Sequence, residues 1–454
     1  MKQNEQDCLN LADSVLQLAR AAGADDCDVL VATGTEFEVT VRRAEIDKLL
    51  EADSKALGLR VFVGGRSATV YTSDFSRDAL QQLATEAVEM AAITDPDPAG
   101  GLPDPEEWAH RFEGNLMLHD EALENVPNQA KIDLARRCEA AAFAFDPRIS
   151  NSDGASCSTE IGLRALVNSR GFAGAYRSSA ASLSVEVMAD DEDGKKRNAS
   201  WYTMERAFDS LEAPDEVGRR AAERALTQLG ARQVATREVP VVWENRLAQR
   251  AIGIIAHAAS GEALYRRQTY LLNREGETIA SPLVTIIDDP LLPGRLGSRP
   301  FDGEGVTSRR NEIVVKGLFK AFLFDTYTAR KTGHRTTGSA SRGVGGAPGV
   351  GTSNLYMEPG TASFDEIIAS VEDGLFLTDL MGFGVNMTTG DFSQGAAGRW
   401  IEHGKLTYPV SEINVSGNLL DMFLGIDMVG NDVFWRGASG APTIRMAKLM
   451  VSGL

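Results

Sequence analysis

Histidine and cysteine, which most often carry metal or nucleophilic chemistry, are scarce in this chain, at five and four of 454 residues. The cysteines (Cys8, Cys27, Cys138, Cys157) are scattered through the first third, with no Cys-x-x-Cys among them. That excludes a compact thiolate metal knuckle and suits reduced thiols in a cytoplasmic setting better than a disulfide framework. Long apolar runs are also missing. No window approaches the roughly eighteen apolar residues of a membrane helix, and the opening MKQNEQDCLNLADSVLQLARAAG lacks the apolar stretch of a signal peptide. Positive charge is in deficit, with a formal net charge of −18. A broad phosphate-binding surface is therefore not expected, nor is nucleic acid as a partner. Arg309-Arg310 and the stretch 330–342 are the only local basic candidates.

What is present describes a globular protein. A hydrophobic fraction of 43% and a charged fraction of 24% supply an ample core. The length predicts two or three domains, and composition divides them at 1–115, 116–234 and 235–454. Residues 7–22 have helical apolar spacing, with Gly23 as C-cap. Asp28–Ala32 and Glu36–Arg42 read as a hairpin about Thr33-Gly34-Thr35, and Leu57–Val63 and Ser67–Thr72 as a second about Gly64-Gly65. Asp74 or Ser76 caps a helix to about Ala92. The Pro- and Asp-rich stretch 94–118 reads as a connection, with His110 and His119 in this linker region. A helix at about 128–144 follows, then strands from Ile149 to Met188 with turns at Asp153-Gly154, 168–171 and 190–194, and a helix over 213–230. Val239–Trp243 is a strand. Asn245 to about Arg266 predicts one long helix whose Leu247, Ala251, Ile254, Ile255 and Ala258 form a buried face. The remainder reads as short strands and glycine turns with a single helix near Phe364–Asp373. The fold class is α+β, with helices and antiparallel strands in the N-terminal region and a β-rich C-terminal domain carrying one long helix.

The densest signal is Gly382–Asn418, GFGVNMTTGDFSQGAAGRWIEHGKLTYPVSEINVSGN. Its glycines predict tight turns and close backbone approaches. Gly382, Gly384, Asn386, Thr389, Asp391, Ser393 and Gly395 are candidates for shaping a surface that holds an extended peptide through main-chain hydrogen bonds. The ordinary alternative is that they are turn residues. His257 lies on the long helix alone, with Glu262 five residues on, whereas a helical zinc motif needs two histidines and a glutamate on one face. His334 sits in the polar loop KTGHRTTGSASRG without a nucleophile elbow or a marked acid. His403 reads as a hairpin-turn residue. Gly343–Gly351 (GVGGAPGVG) lacks the Gly-Lys-Ser/Thr ending of a phosphate loop and reads as a mobile loop bordering a cleft.

Taken together, Thr332-Gly333-His334, Ser353–Tyr356, the 382–410 run, GNDVFWRG and APTIRMAKLMVSG resemble the TldD/PmbA family, historically called modulators of DNA gyrase. GLRVFVGGRSATVYTSDFS and NSRGFAGAY extend the similarity over nearly the whole chain. The resemblance implies a cytoplasmic metallopeptidase of two related subunits, TldD and PmbA (TldE), that degrades unfolded peptides and trims leader peptides. The TldD type carries H-E-x-x-x-H on the long helix and a late Cys. Here the three motif positions fall at Ile254, Ile255 and Ala259, and no Cys follows Cys157. The resemblance therefore implies the PmbA/TldE subunit, with no catalytic residue and no metal or other cofactor of its own. Zinc is expected in a TldD-like partner, an unfolded peptide is the substrate, and a homodimer is the alternative assembly. Two rival readings stay open: a peptidase with an unusual site using His257, Glu262 or His334, and a regulatory binding protein.

Overall fold

Period-two alternation organises the first half of the molecule. The structure, a computed structural model, describes residues 4–109 and 114–453; His110 lies outside them. The elements in order are α1 (Glu5–Ala21), β1 (Asp26–Arg42), β2 (Glu45–Val63), β3 (Arg66–Thr72), α2 (Arg77–Ala92), α3 (Asn128–Phe145), β4 (Ile149–Asn168), β5 (Ala173–Asp190), β6 (Lys196–Glu205) and α4 (Pro214–Leu226). The strands form one antiparallel sheet, β3-β2-β1-β4-β5-β6. Side chains alternate between faces along a strand. Val29 and Val31 pack with α1 and α2, and Phe37, Val39 and Val41 with α3 and α4. The intervening Leu30 points the other way and packs with Leu166 and Phe172 of its own half and with Phe301 of the C-terminal half. The stretches 1–115 and 116–234 thus share one sheet, joined at the β1–β4 pair.

On that second face Asp28 and Arg60 meet Arg342 and Glu304, and all four are buried. Asp28 accepts from Arg342 Nη1 at 2.6 Å and from Arg60 Nε at 2.9 Å. Glu304 lies 3.4 Å from Arg60 Nη1 and accepts the Thr326 N–H at 2.9 Å. Burial pushes the Asp28 carboxyl up, but Arg342 and Arg60 overcome this and hold it below the usual range.

The C-terminal half comprises β7 (Arg237–Trp243), α5 (Asn245–Ala258), α6 (Gly261–Tyr265), β8 (Ile286–Asp288), β9 (Asn311–Val315), β10 (Leu318–Phe319), α7 (Thr326–Thr332), β11 (Ala340–Ser341), β12 (Gly349–Val350), β13 (Leu355–Met357), α8 (Phe364–Ala369), β14 (Asp373–Met381), β15 (Asp391–Glu402), β16 (Lys405–Asn418), α9 (Leu419–Leu424), β17 (Ile426–Val429), β18 (Phe434–Arg436), β19 (Ser439–Ala441) and β20 (Ile444–Ser452). Two larger sheets run β10-β9-β8-β13-β19-β18 and β16-β15-β14-β7-β20-β17. In the latter, β16 also pairs with β20 through Val415 and Val451, so five strands close into a ring. Trp243, Trp400, Phe322 and Ile255 lie in the core of this half. The mixed α+β class and the β-rich C-terminal half are as the sequence predicts.

Several local expectations are corrected. Thr33-Gly34-Thr35 is mid-strand, because β2 and β4 pair with it from both sides. The turn falls instead at Arg43 and Ala44, both at positive φ. Their N–H groups donate to the Glu139 carboxylate, each at 2.9 Å, so a buried acid rather than a glycine makes this turn. Asp153-Gly154 marks a bulge against β5 rather than a turn. The long helix stops at Ala258. Ala259 and Gly261 exchange 2.7 Å backbone bonds with Leu323, and Ser260 then caps α6. Gly261 is needed there, since an added Cβ would lie 2.4 Å from Phe324. The run 382–418 contributes two long strands, β15 and β16, rather than short ones, and α7 and α9 join α8 in the last third.

Candidate functional site

The glycine-dense run builds a braced loop between β14 and β15. Gly382 and Gly390 have positive φ and turn the chain. Asn386 receives the N–H groups of Thr388 and Thr389 on Oδ1, at 3.0 and 3.3 Å. Thr389 Oγ1 donates to Asp391 at 2.7 Å, and Asn418 Nδ2 donates to the Thr389 carbonyl at 3.1 Å. The Ser393 N–H donates to the Gly384 carbonyl at 2.7 Å. Gly395 lies within β15, opposite Met381 and Asn414. The structure thus places Gly382, Gly384, Asn386 and Thr389 in the loop and Asp391, Ser393 and Gly395 in the adjoining strand β15, with Asp391 and Ser393 bonded back to the loop.

Two residues not singled out from the sequence tie this loop to α5 and to the segment after α6. Arg250 of α5 donates to the carbonyls of Leu380 and Gly382, at 3.1 and 3.0 Å. The Tyr270 N–H donates to Met387 at 2.8 Å. Neither carried a motif, because an arginine on a polar helix face reads as solvated. At the loop tip Phe383 is fully exposed.

Gly384 tests how firmly the loop is held. Its absent Cβ would fall 1.5 Å from the Ser393 carbonyl oxygen. Gly384→Ala is expected to cost about 1–3 kcal/mol through overpacking, read as a lower unfolding midpoint. Gly395→Ala, whose added carbon meets Met381 at an ordinary 3.5 Å, is expected to change little. Equal behaviour of the two variants would refute the bracing.

The positions implied for a zinc motif do not fit a metal. Ile255 and Ala259 are fully buried in the main core, with the partly buried Ile254 packed against it. None offers a donor atom, and among the described residues no group of three His, Cys, Asp or Glu side chains could hold an ion. His257 is exposed, and exposed Glu262 pairs with Arg266 at 3.0 Å. His334 stacks on Phe324 with centroids 4.7 Å apart, its Nδ1 2.9 Å from Thr332 Oγ1. His119 Nε2 lies 3.2 Å from Glu124, and His403 occupies the β15–β16 turn beside Glu372.

The remaining motifs serve the architecture. In the Gly343–Gly351 loop, Val344 packs against the N-terminal sheet, where a Cβ on Gly58 would lie 1.9 Å from its carbonyl oxygen. This loop therefore seats on β2 instead of standing beside an open cleft. Of the basic candidates, Arg310 pairs with Glu312, Arg309 and Arg330 donate to backbone carbonyls, and Arg342 lies in the buried ion cluster. A cavity of about 530 Å³ opens between α4 and β14–β16, at the far end of α5 from Ile254. It is lined in part by Trp201, Arg224, Glu244, Asp379 and Arg399. The Arg224–Glu244 pair, at 2.6 Å, braces its wall, and burial pushes Asp379 up.

A four-helix-covered sheet docked on a ring-closed β domain defines the class of architecture, and comparison with known proteins specifies it. Residues 27–91, 121–229 and 236–453 match domain 1, the central domain and the C-terminal domain of the PmbA/TldA metallopeptidases. The metalloprotease PmbA of Escherichia coli O157:H7 is 34% identical, over 97% of this chain and 95% of its own length. A crystal structure from Bacteroides thetaiotaomicron, described as a modulator of DNA gyrase, superposes with a TM-score of 0.93 at 30% identity, covering 99% and 100% of the two chains. TldE from Thermococcus kodakarensis shares the fold, with a TM-score of 0.85 at 20% identity over 97% and 99%. The chain belongs to the PmbA/TldD metallopeptidase family.

Proposed function

We propose that this chain is a PmbA/TldE-type subunit of a cytoplasmic metallopeptidase acting on unfolded peptides, and that it does not itself cleave them. A TldD-type partner supplies the zinc and the cleaving groups, and the 382–395 loop of this chain helps hold the extended substrate. The observation that carries this reading is the apolar character of Ile254, Ile255 and Ala259, the first partly and the other two fully buried, where the family resemblance sets the metal motif. A cytoplasmic location accords with four buried thiols. No helix among the described residues is long and apolar enough to cross a membrane.

The test measures cleavage of an unfolded peptide by this chain, by a TldD-type relative and by their mixture, with metal analysis of each protein. The expected result is zinc in the relative only, no chelator-sensitive cleavage by this chain alone, and full activity in the mixture. A second reading, that the chain is itself a peptidase, draws on the metalloprotease name of its relative from Escherichia coli. Stoichiometric metal and chelator-sensitive turnover in the purified chain would establish that second reading and overturn the first.

A further inference from the structure

We propose that the cavity between α4 and β14–β16 binds a free dipeptide with apolar side chains, its ammonium on Asp379 and its carboxylate on Arg399. The site is formed by this chain alone and is independent of the peptidase reading.

The cavity, of about 530 Å³, lies where the two halves of the molecule meet. Small-molecule sites favour such junctions. One wall is the outer face of β14 and β15. A shift of register between Leu377 and Asp379 sets Phe376 opposite Arg399 and Asp379 opposite Ala397. Opposed residues share a face, and Ala397 and Arg399 are two apart along β15, so all four share one face. It is the outer face: Phe376 packs with Ile367 and Ile368 of α8, whereas the intervening Trp400 points into the main core. Asp379 and Arg399 are therefore diagonal neighbours, their backbones about 7–8 Å apart. The small side chain of Ala397 leaves the space between them open.

The other charged residues lining the cavity are already matched. Arg197 pairs with Asp191 at 2.8 Å, Arg219 with Glu223 at 2.9 Å, and Arg220 with Glu216 at 2.6 Å. Arg224 pairs with Glu244, as above. Asp432 accepts the Thr443 N–H and hydroxyl, at 2.9 and 2.7 Å. Asp379 and Arg399 are left over. Among the described residues the Asp379 carboxylate receives only the Thr378 hydroxyl, at 2.9 Å. The Arg399 guanidinium donates only to the carbonyls of Leu406 and Thr407, at 3.3 and 3.1 Å. Both side chains are half-buried, so each keeps a charge partly desolvated without an ion-pair partner. Burial pushes the Asp379 carboxyl up, a cost that an arriving ammonium relieves.

These leftovers select the occupant. One unmatched carboxylate and one unmatched guanidinium on the same wall call for a molecule carrying both an ammonium and a carboxylate. A nucleotide or a plain carboxylic acid satisfies only Arg399. Two extended residues span at most about 7 Å, close to the spacing of the two anchors, whereas a single amino acid spans about half of that. Phe364, Phe376, Leu406 and Val410 also line the cavity and offer apolar contact to the side chains between the two charged ends.

The test is calorimetric titration of the full chain with leucyl-leucine, its N-acetyl form, its C-terminal amide and free leucine. The expected result is saturable binding of leucyl-leucine, with each of the other three about tenfold weaker or worse, since each loses a charge-assisted bond or the reach to make both. Asp379→Asn and Arg399→Gln, close in shape to the native residues, are each expected to weaken leucyl-leucine about tenfold. They should differ in what they still discriminate. Asp379→Asn should bind the N-acetyl form as well as the free dipeptide, and Arg399→Gln should bind the amide as well. A mere loss of packing does not produce that crossed pattern. The proposal is overturned by no saturable binding to the native chain at millimolar peptide, by equal binding of free and blocked forms, by leucine matching the dipeptide, or by unchanged binding in both variants.

Discussion

Asp28→Ala is expected to remove about 3–5 kcal/mol of stability, because it leaves two guanidinium groups buried without their shared carboxylate. Arg342 and Arg60 both bond Asp28, and all three side chains are buried. After the change Glu304, 3.4 Å from Arg60, is the carboxylate that still pairs with this guanidinium among the described residues. Denaturant unfolding measures the loss. Removing Arg342 together with Asp28 should recover part of it, since the partner charge leaves as well; simple additivity in the double-mutant cycle would rule out the coupling. The pH dependence follows from the sign of the Asp28 shift. Its native carboxyl is held below the usual range, so its contribution is complete above the unfolded value near ~3.9. It is lost only as pH falls through the lower native value. The gap between native chain and variant should therefore stay constant near neutrality and narrow only in acid. Because the cluster spans the N-terminal sheet and the C-terminal half, the loss should appear as weakened docking of the two.

Ile255→Glu, the central step in rebuilding the family motif, is expected to destabilise the chain on the order of 5 kcal/mol at pH 8, from a native carboxyl raised by about four pKa units. Ile255 is fully buried among apolar side chains, so burial would raise the new carboxyl well above its unfolded value near ~4.3. A raised acid costs stability as pH climbs above the unfolded value, and the cost levels off once pH passes the native value. The variant should be least destabilised near pH 4, where only the unbonded neutral carboxyl weighs on the core, and should lose further stability progressively towards pH 8, followed by urea unfolding across that range. The triple variant Ile254→His, Ile255→Glu, Ala259→His should not recover through added zinc, because the surrounding core supplies no hydrogen-bonding second layer to orient the new ligands. Full stability at pH 8, with one zinc per chain, would show that the pocket survives beneath its apolar filling.

Much of the helix and strand order was legible because periodicity is local. The amphipathic helices, the Gly64-Gly65 hairpin and the family run 382–418 each announce themselves in a few consecutive residues. What escaped was decided at a distance. Thr33-Gly34-Thr35 looks like a turn until β2 and β4 flank it. Arg43 and Ala44 look nothing like one until Glu139, almost a hundred residues on, supplies the acceptors. The helix break at Ala259 depends on Leu323. At the candidate site the loop residues were visible as glycine, asparagine and threonine, but the clamp from Arg250 was not. The emptied motif was legible for a different reason: missing histidines can be read without any structure.

The ring of strands has one further implication. β7 opens the C-terminal half and β20 closes it, and the two lie side by side, with Arg237 opposite Val451. The Gly453 N–H reaches Thr236 Oγ1 at 3.3 Å. Entry and exit of this half thus meet at one seam. Topologically it is a cassette: it can be spliced in or out at that seam, or its ends joined and new ones opened in an exposed turn such as His403-Gly404, without crossing any other part of the chain.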